Sequence, residues 1–382
     1  RSVPSKSCPI AFPTSSGQAF LPGGRVIERP HTIAHCYPAH AFAAAAHDVV
    51  ARPQAQQSCS NASAVQPCIG RPAHSRAGST LAVMSIPKSV TKAHATGNDF
   101  IAYLDSDGRF EPTADEVRQL CDRHFGIGAD GLLRLTKPQY VADLSEAQVA
   151  ACDDGDAEWF MDYRNADGSL AEMCGNGTRA ITLFAQRCGV ASTQVGEPFR
   201  LGTRAGVKTL RPLGDVAPYG RDVFRVDMGS WRRGDLDAFT VTIPGTPGAA
   251  RGTFVDMGNP HVVCVIEDAM STLPRVEDLD LVTKPEVSPV LESDQNAEFV
   301  RVDEIDAAAG TGEATMRVNE RGCGETLSCG TGLCATAITL RAKTGVDHWD
   351  ITVRGGTVRV DVTDETVALT GSATLVADVT LI

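Results

Sequence analysis

Two cysteines in this chain stand directly before a Gly-x-Gly turn and a helix-like run, and each could be a reactive thiol. Cys174 lies in AEMCGNGTRAITLF, and Cys329 lies in TLSCGTGLCATAITL. The first turn of a helix has backbone N–H groups without intrahelical partners, and their partial positive charge lowers the pKa of a nearby thiol. The same groups bind anions, and glycine lets a ligand approach the backbone closely. We therefore expect a carboxylate site beside each thiol.

If the two turns face each other, they could invert an amino acid at its Cα atom. A thiolate on one side would remove the Cα proton, and a thiol on the other side would deliver a proton to the opposite face. Both groups must reach the same carbon, and the carboxylate held by fixed dipoles is where the carbanion charge spreads. The sequence contains no phosphate-binding P-loop and no plausible pyridoxal-phosphate lysine motif, so we expect no cofactor. No Cys/His cluster has zinc-finger spacing, so we expect no metal.

Composition and charge limit the classes of protein to which the chain can belong. Its 382 residues, 42% of them hydrophobic, are more than one core usually carries, so two domains are expected. No apolar run reaches the roughly 18 residues that a membrane-spanning helix needs. Residues 1–83 carry seven Lys and Arg against two Asp and Glu, whereas the remainder carries 28 against 45. This acidic body argues against nucleic acid, and we expect a small-molecule substrate and no membrane partner.

The first 83 residues differ from the rest and are left out of the fold prediction. They are rich in Pro, Ala, Ser and His and show no sustained apolar period. We expect a disordered extension, which is either sequence translated upstream of a start at Met84 or a basic transit peptide. The 12 cysteines include no CxxC pair, which favours a reducing compartment. That compartment would be the cytoplasm, or the plastid stroma if the extension is a transit peptide.

The remaining residues predict an α+β fold with an internal repeat. Met161 lies 13 residues before Cys174, and Met316 lies 13 residues before Cys329. A Gly-Asn turn precedes the two cysteines by 77 and 71 residues. Each unit runs from Gly-Asn through strands to a Cys-Gly turn and a helix, so we expect one cysteine from each to face a common cleft. The predicted domains are residues 84–220 together with 374–382, and residues 221–373.

Local signals predict the connections around these units. NADG, at residues 165–168, is a hairpin-turn sequence between two predicted strands. Residues 140–158, YVADLSEAQVAACDDGDAE, are predicted to form a long loop. From Trp349 onward the pattern predicts strands to the end of the chain.

At MCGNGTRA and NERGCGETLSCGTG the chain resembles diaminopimelate epimerase, a family of pyridoxal-phosphate-independent amino-acid epimerases. The resemblance covers about residues 84–382 and includes GNDF, NADG and GNPH in the same order; the motifs are specific together and weak singly. It implies the conversion of LL-diaminopimelate to meso-diaminopimelate in lysine and peptidoglycan-precursor biosynthesis, without a cofactor. The implied fold has two pseudo-symmetric domains, each a mostly antiparallel sheet curled around a central helix.

The resemblance also implies roles for the residues that match these motifs. Cys174 and Cys329 would be the catalytic thiols, and His261 and Glu320 would flank them and assist their protonation. The substrate-binding residues would be Asn98, Asn165, Gly175, Asn176, Asn259, Asn296, Glu320, Arg321, Gly330 and Thr331. The N–H groups of the two Cys-Gly turns would bind the reacting carboxylate, and Arg321 would lie near the distal one. We also expect a homodimer.

Two single residues depart from the family pattern, and two other functions remain open. Cys323 adds a third thiol near the site, and Gly131 stands where some members carry a polar residue. The nearest alternative is a proline or hydroxyproline racemase or epimerase of the same fold, whose cyclic substrate has no distal charge for Arg321. The other is a non-catalytic thiol or metal-binding protein, although the spacing of Cys323, Cys329 and Cys334 matches no common metal site.

Overall fold

The computed structural model describes residues 85–382, which form an α+β fold of many short strands and few helices. The predicted extension at residues 1–83 lies outside the described residues. The strands are β1 (Ser89–Ala95), β2 (Asn98–Asp105), β3 (Gly131–Thr136), β4 (Trp159–Asn165), β5 (Phe199–Gly202), β6 (Lys208–Val216), β7 (Gly220–Gly229), β8 (Arg232–Arg233), β9 (Phe239–Thr242), β10 (Ala250–Asp256), β11 (Pro260–Val265), β12 (Glu286–Ser288), β13 (Asn296–Asp306), β14 (Thr311–Glu320), β15 (Gly324–Thr326), β16 (His348–Val353), β17 (Gly356–Val362), β18 (Val367–Ser372) and β19 (Thr374–Thr380). The helices are α1 (Ala114–Cys121), α2 (Glu146–Asp154), α3 (Gly175–Arg187) and α4 (Gly330–Thr344), with 3₁₀ turns at Pro138–Tyr140 and Val276–Asp278.

One order of strand pairing occurs twice in the sheet. From β1 to β7, successive pairs are antiparallel, parallel, antiparallel, parallel, antiparallel and antiparallel. The series β10, β11, β13, β14, β16, β17 and β18 repeats that order. Strand β7 pairs with β18 and so joins the two series. The repeat that the two Cys-Gly turns predict is therefore present in the strand topology.

Helices α3 and α4 occupy equivalent places in the two series. Helix α3 follows β4 and packs mainly against strands of the first series, whereas α4 follows β15 and packs mainly against strands of the second. Every residue of α4 from Gly330 to Leu340 is buried. This burial explains why small and apolar residues occur on every face of the helix. Each helix is thus enclosed by a curled sheet, and the predicted fold class is confirmed. The exact domain boundaries stay a prediction.

The last strand of the chain completes the first series. Strand β19 pairs antiparallel with β1, in a register that sets Thr91 opposite Asp378. The Thr91 hydroxyl donates a 2.8 Å hydrogen bond to Asp378, and Arg187 of α3 forms a 2.8 Å ion pair with the same carboxylate. Among the described residues, no helix is long and apolar enough to cross a membrane.

Two local predictions were wrong. After NADG the chain forms a single bridge between Arg164 and Leu170 instead of a second strand, because the chain leaves the sheet there to reach the start of α3. Residues 140–158 contain helix α2 rather than a continuous loop. The side chain of Ser145 accepts a hydrogen bond from the Gln148 N–H, and Gln148 reciprocates; this capping box is a helix-start signal.

Candidate active site

Cys174 and Cys329 each cap the N-terminus of a central helix. Both have extended backbone angles, φ −142° and ψ 122° for Cys174 and φ −117° and ψ 115° for Cys329. The Sγ atom of Cys174 accepts a 3.5 Å hydrogen bond from the N–H of Gly177. The Sγ atom of Cys329 lies 3.6 Å from Oγ1 of Thr331. The sequence therefore predicted the local setting of both thiols correctly.

The two helix starts touch each other through glycine. A β-carbon at Gly330 would lie 3.1 Å from both Cα and N of Gly175 and 3.3 Å from the backbone N of Asn176. The Nδ2 group of Asn176 crosses the contact and donates hydrogen bonds of 3.1 and 3.3 Å to the carbonyl and hydroxyl oxygens of Ser328. The structure thus brings together the two turns whose N–H groups the sequence predicts to bind a carboxylate.

Asn98 lies beside the first thiol. Its Oδ1 atom is 3.5 Å from Sγ of Cys174 and 3.4 Å from Nδ2 of Asn176. Its Nδ2 group donates a 2.7 Å hydrogen bond to Asp130. Burial raises the pKa of Asp130, although the hydrogen bond from Asn98 opposes the change. Sequence reasoning missed Asp130, whose only signal was its place before Gly131 in the GADG turn.

His261 belongs to a buried chain of polar groups that leads to the second thiol. Its Nδ1 atom is 2.7 Å from Oε1 of Glu298, and its Nε2 atom is 3.1 Å from Oδ1 of Asn259. The Nδ2 group of Asn259 donates a 3.2 Å hydrogen bond to Oγ1 of Thr331. The chain of contacts therefore runs from Glu298 to the residue that touches Cys329.

Sequence reasoning also missed Glu298. It lies two residues after Asn296 on β13, and both its backbone and side chain are buried. A β-carbon at Gly332, in the first turn of α4, would lie 2.6 Å from Oε1 of Glu298, so the carboxylate packs directly against that turn. The available signal was a lone acidic residue inside the apolar strand NAEFV.

Three predicted substrate-binding side chains make contacts within the protein or face solvent. Asn165 donates a 3.0 Å hydrogen bond to Ser169 in its own turn. Asn296 donates a 3.0 Å hydrogen bond to the carbonyl of Pro260 and accepts one of 3.0 Å from the backbone N–H of Arg321. The Arg321 residue itself is exposed. Asn296 therefore fixes the backbone that carries the predicted distal arginine.

The net effect on both thiols is opposite to the one predicted from the helix starts. Burial raises the pKa of the Cys174 thiol to about 11, although the N–H groups of Gly177 and Asn176 oppose this. Burial also raises the pKa of Cys329 well above its usual value, and the charges of Glu320 and Glu298 add to the shift. Desolvation outweighs the helix N-terminus here because neighbouring groups exclude most water from both thiols, and Cys174 stays only partly accessible. The protein surroundings therefore favour the neutral form of both thiols.

Glu320 ends β14 near both thiols. Burial raises its pKa to about 7, a hydrogen bond donated by Thr326 opposes the change, and the charge of Asp130 adds to it. A cavity of about 650 Å³ opens beside it, lined among others by Asp130, Thr326 and the exposed third thiol, Cys323.

The raised pKa of Glu320 predicts a pH dependence of stability that Glu320→Gln removes. The pKa of this carboxyl is 4.5 in the unfolded chain and about 7 in the folded protein. At any pH between these two values, the folded protein binds more protons at this group than the unfolded chain does. The stabilising contribution is therefore complete below pH 4.5 and is lost as the pH rises through about 7. In thermal unfolding, the fall in Tm between pH 5 and pH 8 is expected to be smaller in Glu320→Gln than in the unaltered chain.

Glu325→Gln is the matched control for this prediction. Burial opposes ionisation of Glu325, but hydrogen bonds and ion pairs with Arg317 and Arg354 lower its pKa below the usual value. Its stabilising contribution is therefore constant between pH 5 and pH 8, so Glu325→Gln should lower Tm equally at both. If Tm fell by the same amount between pH 5 and pH 8 in Glu320→Gln as in the unaltered chain, the raised pKa of Glu320 would be contradicted.

Comparison with solved structures defines the class of fold. A PhzF-family phenazine biosynthesis protein from Bacillus anthracis is similar with a TM-score of 0.51 at 15% identity, over 77% of this chain and 98% of that chain. A hydroxyproline epimerase from Agrobacterium vitis is similar with a TM-score of 0.50 at 13% identity, over 77% and 92% of the two chains. These identities are low enough that the likeness shows the fold alone.

Sequence comparison identifies the family within that class. The family model described as diaminopimelate epimerase matches residues 90–232 and 253–376. A diaminopimelate epimerase from Rhodococcus jostii (strain RHA1) is 40% identical over 297 residues, which are 76% of this chain and 96% of that protein. One from Corynebacterium glutamicum (strain R) is 40% identical over 296 residues, 77% and 98% of the two chains. The chain belongs to the diaminopimelate epimerase family, whose members are isomerases acting on amino acids, and the predicted enzyme class is confirmed.

Proposed function

We propose that this chain converts LL-diaminopimelate to meso-diaminopimelate by a cofactor-independent mechanism with two thiol bases. The observation that carries the proposal is the backbone contact between Gly175 and Gly330, which sets the starts of α3 and α4 side by side. Cys174 and Cys329 cap those two helices. Family membership supports the substrate and a proposed role in lysine and peptidoglycan-precursor biosynthesis.

In this mechanism the reacting carboxylate binds to the N–H groups of Gly175–Asn176 and Gly330–Thr331. One thiolate removes the Cα proton, and the opposite thiol donates a proton to the other face. Because burial raises the pKa of both thiols, the thiolate must form as the substrate binds and brings a positive α-ammonium group into the site. We assign the exchange of the thiol proton to Glu320 and His261.

The surroundings of Arg321 support a substrate with a charged distal end. Its backbone is held by Asn296 at 3.0 Å, while the residue is exposed. Among the described residues, its guanidinium has no carboxylate partner within salt-bridge distance, in contrast to Arg317, which lies 2.7 Å from Glu325. We propose that Arg321 pairs with the distal carboxylate, and that Asn98, Asn165 and Asn259 contact the remaining polar groups. A cyclic proline substrate would leave Arg321 without a partner.

The substrate is tested by the exchange of the Cα hydrogen in deuterated water. We expect the full-length chain, purified with reductant, to exchange and epimerise LL-diaminopimelate and to leave L-proline unchanged. The same rate should persist after treatment with a chelator, because no metal takes part in the proposed mechanism. Exchange of proline alone would favour the racemase alternative, and loss of activity on chelation would favour a metal-dependent protein.

The proposal also covers the assembly and the compartment. We expect a homodimer in solution, measurable by light scattering of the purified chain. All eight cysteines of the described residues are free thiols, which supports a reducing compartment such as the cytoplasm.

A further inference from the structure

Arg179 is a fully buried cation in the second turn of α3. Its Nη2 group donates hydrogen bonds to Oδ1 of Asn176 and, over 2.9 Å, to Oγ1 of Thr96. Its Nε and Nη1 groups have no hydrogen-bond partner among the described residues. No carboxylate of residues 85–382 pairs with it, and the titratable groups around it are thiols. The protein therefore buries a positive charge beside the site without a counter-ion.

Arg134 shows how this chain otherwise buries an arginine. It is equally inaccessible, but its guanidinium lies 2.8 Å from Asp105 and 3.4 Å from Asp162. A buried ion is costly unless such a partner compensates for its lost hydration. Burial lowers the pKa of Arg179 to about 10, so its guanidinium remains charged at neutral pH. The positive charge of Arg179 is therefore available to stabilise an anion that forms only at certain stages of the reaction.

Cys174 is the group that can become this anion. The two titratable groups that face Arg179 are the thiols of Cys174 and Cys334. Cys334 is fully buried in the core, and burial raises its pKa to about 12. Cys174 is partly accessible at the start of the same helix as Arg179, and its other titratable neighbours are Glu320 and Tyr163. Among the titratable neighbours of Cys174, only Arg179 carries a positive charge that favours the thiolate.

Residues from several elements fix the position of the Arg179 guanidinium. A β-carbon at Gly371 on β18 would lie 1.8 Å from Nη1 of Arg179, so only glycine leaves room for it. Thr96 belongs to the turn between β1 and β2 that leads into Asn98. Because Arg179 donates to Oδ1 of Asn176, the amide must turn Nδ2 toward Ser328. Arg179 therefore sets the orientation of the side chain that links the two Cys-Gly turns.

We propose that Arg179 is a positioning residue of the site, which orients Asn176 and places a fixed positive charge behind the Cys174 turn to stabilise the Cys174 thiolate. The inference rests on the proposed function, because it assigns a purpose to the charge only if Cys174 acts as a base. It adds a residue that acts through its hydrogen bond to Asn176 and that was not among the predicted site residues.

The test is the rate at which iodoacetamide alkylates Cys174 as a function of pH. Peptide mass spectrometry of the full-length chain separates Cys174 from Cys323 and the other thiols. In Arg179→Met the profile shifts to higher pH, because an opposite charge no longer favours the thiolate, and alkylation at pH 8 slows by about tenfold. Arg179→Lys keeps the charge but loses the planar guanidinium, so its profile stays near that of the unaltered chain while kcat/KM falls.

Arg187→Met is the matched control, because it removes an arginine from the same helix where the guanidinium pairs with Asp378 at the surface. Its alkylation profile should equal that of the unaltered chain. If circular dichroism shows that Arg179→Met does not fold, the proposal is tested with Gly371→Ala instead. Its methyl group must displace the guanidinium, so alkylation of Cys174 slows or kcat/KM falls.

An unchanged alkylation profile in folded Arg179→Met overturns the proposal, and so does a folded Gly371→Ala with unchanged alkylation and kcat/KM. These results are separable from a failure of the proposed function. Alkylation requires no turnover, so it reports on Arg179 even if the chain does not epimerise diaminopimelate.

Discussion

Replacing either Cys174 or Cys329 with serine is expected to lower the rate of epimerisation by about 10²–10⁴-fold, the usual contribution of a positioned acid or base. Each cysteine is the N-cap residue of its own helix, and the two helix starts meet at Gly175 and Gly330. A serine hydroxyl keeps the size and the capping position but is a far weaker acid. The loss should therefore appear in kcat while the fold, followed by thermal unfolding, is kept.

The two variants should also differ from each other in a way that only a two-base site predicts. The thiol that remains can still remove and return the Cα proton on its own face. Each variant is then expected to exchange the Cα hydrogen of one epimer with solvent deuterium, without inversion, and the two variants should act on opposite epimers. Proton NMR of each diaminopimelate epimer in deuterated water measures this.

Cys323→Ser is the control for the loss of a thiol. Cys323 is exposed, in contrast to the buried Cys329, and we expect its replacement to leave epimerisation unchanged. Full epimerisation by either Cys174→Ser or Cys329→Ser would contradict the two-base mechanism. Equal exchange of both epimers by both variants would mean that another group supplies a proton.

The second large effect is expected from adding one methyl group, in Gly330→Ala. The new β-carbon would lie 3.1 Å from Cα and N of Gly175, which is too close for ordinary packing against backbone. The starts of α3 and α4 must then move apart by a few tenths of an ångström. Because both thiols must reach one carbon, we expect kcat/KM to fall by about 10- to 100-fold, as small misplacements of reacting groups do.

Gly177→Ala is the matched control in the other helix. Its β-carbon would meet Cys174, Leu133 and Met161 at 3.5 to 3.6 Å, which is ordinary contact. It should keep most of the activity and fold with a similar Tm. If Gly330→Ala kept the kcat/KM of the unaltered chain, the close approach of the two turns would not be required for catalysis.

Local signals accounted for much of the fold and for the two helix starts that carry Cys174 and Cys329. The Cys-Gly turns, their spacing from Met161 and Met316, and the helices that follow depend on residues near one another in the chain. The strand predicted after NADG is not formed, because tertiary structure overrides the local signal. The chain must leave the sheet within a few residues to reach Cys174.

The missed residues have a common physical cause. Asp130, Glu298 and Arg179 are charged groups whose partners lie far away in the sequence: Asn98 is 32 residues from Asp130, His261 is 37 from Glu298, and Thr96 is 83 from Arg179. A single sequence shows the residue types but does not show which strands lie together. The direction of the thiol pKa shift was wrong for the same reason, because a helix start is visible in the sequence and the depth of burial is not.

The pairing of β19 with β1 has a consequence for the order in which the protein folds during synthesis. Strand β1 at Ser89–Ala95 needs Thr374–Thr380 as a neighbour, so its outer side stays unpaired until those residues have left the ribosome. The series from β10 to β18 is contiguous and needs no such late partner. The half that contains Cys329 is made second but can complete its sheet first, and closing the long loop between β1 and β19 is the slow, non-local step.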